Sequence, residues 1–253
     1  MYILIFALGG VIGSFLNVCI YRIPKEESIV FPPSHCIDCS HPLAWYDLVP
    51  IVSYLSLKGK CRYCGGVISP QYPIIEALNA IIYLFLYLHF GLSAEFVFYG
   101  IMASILIVVC LIDYYHQIIP DGIILLMFVL TVIYKASEYL IYGTPLFLRD
   151  PICGFLAGGL LFLAIAVISG GAMGGGDIKL IAVLGLILGL KKTLLNILLS
   201  FFIGAVVSIY LLASGRKGRK DAIPFGPFIN IAFIITLFYG DMIINRYMQG
   251  MIP

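Results

Sequence analysis

Two aspartates stand where an apolar chain should not carry them. Asp113 closes the run IMASILIVVCLI and precedes YYHQIIPD; Asp177 follows three glycines in MGGGDIKL and opens the run IKLIAVLGLILGL. A charged side chain at membrane depth is expensive, and its default reading is functional. Two carboxylates brought to one face can share a proton. One then acts as base on a water while the other acts as acid toward a scissile amide, as in aspartic proteases. Such chemistry needs no nucleophilic serine or cysteine and no catalytic metal, and the chain contains neither GxSxG nor HExxH. Helix capping is the plain alternative for Asp177 and Asp121, because aspartate is a favoured N-cap. It does not serve Asp113, since a helix C-terminus repels a carboxylate. By the same dipole, the shared proton is expected on Asp113, with Asp177 as the ionised base. Gly174, Gly175 and Gly176 remove side chains beside Asp177, so a substrate backbone can approach it closely.

A second chemical pattern is CIDC at Cys36 and Cys39, then 21 residues, then CRYC at Cys61 and Cys64. Paired CxxC knuckles at about this spacing are a zinc-ribbon signature. Each knuckle aims two thiolates at one metal, and four thiolates complete a closed, structural tetrahedral site. In so small a loop, metal binding would supply the folding energy. Disulfides or free thiols are the alternative, and a reducing compartment disfavours disulfides. His35 and His41, which flank the first knuckle, read as surface residues. Cys19, Cys110 and Cys153 lie in apolar stretches and read as small core residues.

These groups must be positioned by a membrane protein. Hydrophobic residues make up 62% of the 253 and charged residues 11%, and mean hydropathy is +1.07; soluble domains run at about half apolar and a quarter charged. The net charge of +2 does not suggest a nucleic-acid surface. Apolar segments at about 1–20, 72–90, 94–113, 121–142, 151–170, 178–190, 192–213 and 222–244 predict an all-α polytopic fold with about eight transmembrane helices. The sixth is short enough to be re-entrant or buried. The first has no charged leader or cleavage site and reads as a retained helix. Residues 1–20 form the first membrane helix, 21–71 a small cytoplasmic zinc-ribbon-like loop domain, and 72–253 the catalytic core. Lysine and arginine in the 21–71 loop, with Arg216, Lys217, Arg219 and Lys220, place both loops in the cytoplasm. Lys191, Lys192, Lys135 and Arg149 then fall on the outer side. Parity puts Asp113 and Asp177 at one, cytoplasmic, face.

The motifs together resemble those of type IV prepilin peptidases, members of the GxGD class of intramembrane aspartic proteases. GSFLNVCIYRIP at 13–24, the two CxxC pairs, SLKGKCRYC at 56–64, ISPQYPIIE at 68–76, DYYHQIIPD at 113–121 and GGGDIKL at 174–180 occur in the family's order, over essentially the whole length. The resemblance implies an enzyme of the bacterial inner membrane that removes the basic leader of prepilins and pseudopilins on the cytoplasmic side. It further implies methylation of the new N-terminus with S-adenosylmethionine. Asp113 and Asp177 carry over as the catalytic pair. Asp121 carries over as a structural acid, Lys179 as an aid to substrate or dyad positioning, and Cys36, Cys39, Cys61 and Cys64 as ligands of structural Zn2+. Gly59 and Lys60 match a segment associated with methylation; Glu76 also matches, and its carboxylate suits an amine or sulfonium. A peptidase that has lost methylation is one alternative. A proton- or cation-coupled transporter and a structural scaffold are others; no inverted repeat supports transport, and a scaffold leaves Asp113 unexplained.

Overall fold

The computed structural model describes residues 1–142, 148–171, 173–218 and 221–251. Arg219 and Lys220 of the basic run lie outside the described residues, as does Ala172 of the glycine-rich turn. Among the described residues there are nine α-helices and no strand. They are α1 (Tyr2–Arg22), α2 (Val52–Ser56), α3 (Gln71–Phe90), α4 (Ala94–His116), α5 (Asp121–Tyr142), α6 (Arg149–Ile168), α7 (Gly175–Leu188), α8 (Leu190–Ala213) and α9 (Gly226–Met251). All but α2 and α7, seven in number, are long and apolar enough to cross a membrane. The chain is a multi-pass, all-helical membrane protein.

Each of the eight apolar segments expected from the sequence is a helix. The sixth, α7, has only 14 residues. That is about 21 Å at about 1.5 Å per residue, short of a hydrocarbon core of about 30 Å. Shelter makes the short helix tolerable. Leu180, Ile181, Ala182, Val183, Leu184 and Ile187 are all buried in the bundle, and α7 meets α6 where Gly154 faces Gly185, with no room for a Cβ on either. A helix wrapped by protein does not have to match the lipid.

The chain divides into two compact units, Met1–Val108 and Val109–Pro253, with the boundary inside α4. In the first unit α1 and α3 approach through Gly9 and Gly13. A Cβ on Gly9 would lie 2.7 Å from Ala80 Cα, and one on Gly13 would lie 2.7 Å from Glu76 Cα. Small residues four apart permit this backbone approach. A polar chain closes the contact: Asn79 Nδ2 donates to the Gly9 carbonyl at 2.7 Å, and Ser104 Oγ donates to Asn79 Oδ1 at 3.1 Å. With no water to turn to, polar groups at this depth must find partners inside the protein. The 21–71 loop contains the short helix α2 and two single 3-10 turns, none of them legible in its proline-rich sequence.

In the second unit, Phe162, Phe201, Phe225 and Phe228 pack as an aromatic cluster between α6, α8 and the start of α9. Two of the lysines that the loop charges assign to the outer side are neutralised. Lys192 pairs with Asp241 at 2.8 Å and Lys135 with Glu138 at 2.9 Å.

Candidate functional site

Asp113 lies three residues inside α4, which runs on to His116 rather than ending at the aspartate. Its side chain is buried, and Oδ2 accepts the backbone N–H of Gly226 at 2.8 Å. Gly226 is the first residue of α9. The Asp113 carboxylate therefore faces an orphan N–H and the positive end of a second helix dipole, both of which favour the anion. The sequence expectation considered only α4's own C-terminus and missed this contact. A signal was available, since Gly226 sits between Pro224 and Pro227 in IPFGP, and Pro/Gly punctuation before an apolar run marks a helix start.

Asp177 is the third residue of α7, after Gly174 as N-cap, and so is not itself the cap. Its carboxylate reaches back to the Gly174 backbone N–H, the geometry of an acid at the third helical position. Its Oδ1 is buried and has no hydrogen-bond partner. Asp113 and Asp177 interact electrostatically; the fold of the second unit brings the two predicted acids together.

The glycines divide by role. A Cβ on Gly175 would meet nothing within 4 Å, whereas one on Gly176 would lie 2.8 Å from Ile119 Cβ. Gly175 thus borders open space, and Gly176 is a close-packing position against the turn that follows α4. Gly174 is the N-cap, beside Asp177 Oδ2. Lys179 donates to Asp121 Oδ1 at 2.6 Å, with both side chains exposed. The pair joins the first residue of α5 to the second turn of α7. Beside it runs an apolar groove of about 510 Å³, walled by Ile124, Phe128, Phe155, Leu160 and Ile178.

The cysteine loop folds as two matching knuckles. Cys36 accepts the Ser40 N–H and donates its own N–H to the His41 carbonyl; Cys61 does the same with Gly65 and Gly66. One antiparallel bridge closes each knuckle, His35 with Pro42 and Lys60 with Val67. The sulfurs of Cys36, Cys39, Cys61 and Cys64 all lie within 4.8 Å of one another. The Cys36 and Cys64 sulfurs are 3.9 Å apart, against about 3.8 Å for the edge of a tetrahedron with metal–sulfur bonds of about 2.3 Å. Backbone N–H groups of Cys64 and Tyr63 aim at the Cys61 sulfur and lower its thiol to about 7. The set suits a metal ion. His35 and His41 are exposed and outside the cluster. Asp47, not singled out by sequence, ties the second knuckle down. It accepts from Arg62 Nε at 2.8 Å and Tyr63 Oη at 3.1 Å. Partial burial works against its charge, but these bonds outweigh it and hold the carboxyl below its usual range.

Gly59, Lys60 and Glu76 do not form one constellation. Glu76 is buried on α3, with Oε2 accepting the Ile51 N–H at 2.7 Å. Gly59 packs behind the Tyr54 ring with φ +70°. Lys60 is exposed.

Residues 7–90 match the family model described as the bacterial peptidase A24 N-terminal domain, and residues 100–209 match that of the type IV leader peptidase family. A relative from Bacillus subtilis, named prepilin leader peptidase/N-methyltransferase, is 36% identical over 98% of each chain. Relatives of the same name from Pseudomonas aeruginosa and Myxococcus xanthus are 32% and 37% identical, over 96% and 86% of this chain and 91% and 65% of their own. No solved structure matches. With two family domains matched in order along its length, and relatives aligned nearly end to end, the chain belongs to the type IV leader peptidase family.

Proposed function

We propose that this protein is a prepilin leader peptidase that also methylates the new N-terminus of its product. Relatives matched over nearly their whole length carry that double name. The observation that carries the peptidase half is the Asp113–Asp177 pair. Each carboxylate is anchored by a backbone amide, and Asp177 keeps a second, buried oxygen free, beside a glycine open to substrate.

Each carboxylate accepts one backbone N–H at a helix N-terminus, but Asp177 alone keeps a buried oxygen without a partner, which favours the proton there and makes Asp113 the base and Asp177 the acid, the reverse of what the α4 terminus alone suggests. Asp113 takes a proton from water as the hydroxyl adds to the scissile carbonyl carbon, and Asp177 gives its proton to the carbonyl oxygen. The proton held by Asp113 then passes to the leaving amine as the C–N bond breaks, while a hydroxyl of the gem-diol intermediate returns its proton to Asp177. The pair titrates as a unit, with macroscopic values only. The apolar helix that follows the scissile bond in a prepilin suits the groove beside Ile178.

Cys36, Cys39, Cys61 and Cys64 would hold Zn2+ in a closed site that fixes the loop and leaves no open coordination position. S-adenosylmethionine supplies an electrophilic methyl group on a sulfonium. The protein resides in the bacterial inner membrane with the dyad at the cytoplasmic face, and its partners are prepilins or pseudopilins and the lipid bilayer. Lys179 acts on substrate indirectly, by holding α7 to α5 through Asp121.

The test is incubation of a model prepilin with membranes containing wild type, Asp113→Asn or Asp177→Asn, followed by mass spectrometry of the product. Cleavage by wild type alone, with a further 14 Da when methyl donor is added (about one methylene), is expected. Undiminished cleavage by either variant removes the dyad.

A further inference from the structure

The first unit holds a cavity that leader cleavage does not use. It measures about 630 Å³ and is bounded by α1, α3 and the cysteine loop; small-molecule sites span about 300–1,000 Å³. Three polar side chains in its wall are deeply buried: Asn17, Arg22 and Glu76 are 3%, 6% and 7% exposed.

Their partners leave a specific remainder. Asn17 Nδ2 donates to the Gly13 and Tyr72 carbonyls, while its Oδ1 is buried without any partner. Arg22 Nη1 donates to the Ser28 carbonyl. Arg62, the other arginine of the wall, is taken by Asp47. Glu76 accepts the Ile51 N–H and a hydrogen bond from the Ser14 side chain, and among the described residues no lysine or arginine forms an ion pair with it. The remainder is one buried carboxylate and one buried guanidinium, neither in an ion pair among the described residues, and one unused acceptor, beside the rings of Tyr54 and Tyr72. A buried carboxylate without a counter-charge is destabilising. A cationic ligand would complete it, and tyrosine faces attract organic cations.

The loop holds one wall in place. The Gly59 N–H donates to the Tyr54 carbonyl at 2.9 Å, and a Cβ on Gly59 would lie 2.9 Å from Tyr54 Oη. A side chain at this position would crowd Tyr54, which lines the cavity.

We propose that this cavity binds S-adenosylmethionine, with Glu76 opposite the sulfonium and Asn17 Oδ1 accepting an N–H of the donor. The assignment rests on the methyltransferase reading above. In the transfer, the neutral amine of the new N-terminus, its proton lost to water, forms the N–C bond as the C–S bond breaks. The bonding pair stays on sulfur, so the product S-adenosylhomocysteine has lost the charge that faces Glu76. The carboxylate holds the donor and lets the product go.

The test is equilibrium binding of radiolabelled S-adenosylmethionine and S-adenosylhomocysteine to the purified full-length protein in nanodiscs, together with methylation of a processed pilin peptide. The variants are Glu76→Gln and Ser53→Trp, the latter to fill the cavity from α2. Zinc content and gel-filtration profile report folding. Glu76→Gln should weaken donor binding by about tenfold or more while changing product binding by less than about threefold. Ser53→Trp should block both. If wild type methylates and both variants bind the donor as wild type does, the site is elsewhere and the methyltransferase reading stands. If Glu76→Gln weakens donor and product equally, the role given to Glu76 is wrong. If wild type neither binds donor nor methylates, the methyltransferase reading falls and the cavity assignment with it.

Discussion

The Asp113 carboxylate accepts the backbone N–H of Gly226 at 2.8 Å, across 113 positions of sequence. The contact fixes one oxygen of the proposed dyad on the first residue of another helix. It also explains the glycine, because a Cβ there would lie 2.7 Å from that oxygen. Gly226→Ala should turn the Asp113 carboxylate and lower prepilin cleavage by about 10- to 100-fold, the scale of small misplacements of reacting groups. Initial rates of leader removal measure it; an unchanged rate would show that the amide does not position the acid.

Asp113→Asn and Asp177→Asn should each reduce cleavage by at least about 10²–10⁴-fold while the protein still elutes and melts as a folded bundle. Neither change removes packing volume. Single-turnover assays on a model prepilin decide this, and the double variant should be no worse than either single one, since the two acids act as one unit.

Gly175 and Gly176 adjoin in sequence and should respond differently. Gly176→Val forces the side chain against Ile119 and should destabilise by about 1–3 kcal/mol, shifting the turn between the two aspartate motifs and slowing cleavage. Gly175→Ala meets no atom within 4 Å and should leave the melting temperature unchanged. Thermal melts in detergent separate the two.

The Lys179–Asp121 pair is 2.6 Å long but exposed on both sides. Solvent screens such pairs, so Lys179→Met should cost less than about 1 kcal/mol. If Lys179 instead acted directly on the dyad, this variant would move the pH profile of cleavage, and that profile is expected to stay put.

The cysteine loop should lose metal in acid. Cys61 is lowered to about 7, so in the metal-free loop its stabilising contribution is present above the ordinary thiol range and is lost as pH falls through about 7. Metal ligation requires thiolates. Zinc affinity, measured by chelator competition between about pH 6 and 8, should fall with falling pH and fall more steeply below about 7, where Cys61 must also release a proton. A pH-independent affinity would exclude thiolate ligation.

Much of this was legible along the chain because the bilayer imposes a simple rule. A spanning segment must be long and apolar, so the eight helices stand out by hydropathy, and an aspartate interrupting such a run is conspicuous. The paired CxxC knuckles were equally visible, because their hydrogen bonds are local, each closing within a few residues. Close packing was harder to read. Gly9, Gly13, Gly154 and Gly185 are ordinary glycines in sequence, and only the meeting of α1 with α3 and of α6 with α7 reveals why no side chain fits.

The sequence by itself determined the membrane class, the eight apolar segments and the cysteine cluster, and it singled out the two acids, since each depends on residue type and short-range spacing. Tertiary structure alone decided what surrounds those acids. The amide of Gly226 arrives from α9, Ile119 occupies the space beside Gly176, Asp121 captures Lys179, and Asn17 Oδ1 is left without a partner beside a cavity that the unpaired Glu76 also lines. The reason is physical: proton position and ligand charge are set by the field of every neighbouring dipole and carboxylate, and those neighbours come from segments whose separation in sequence carries no record of their separation in space.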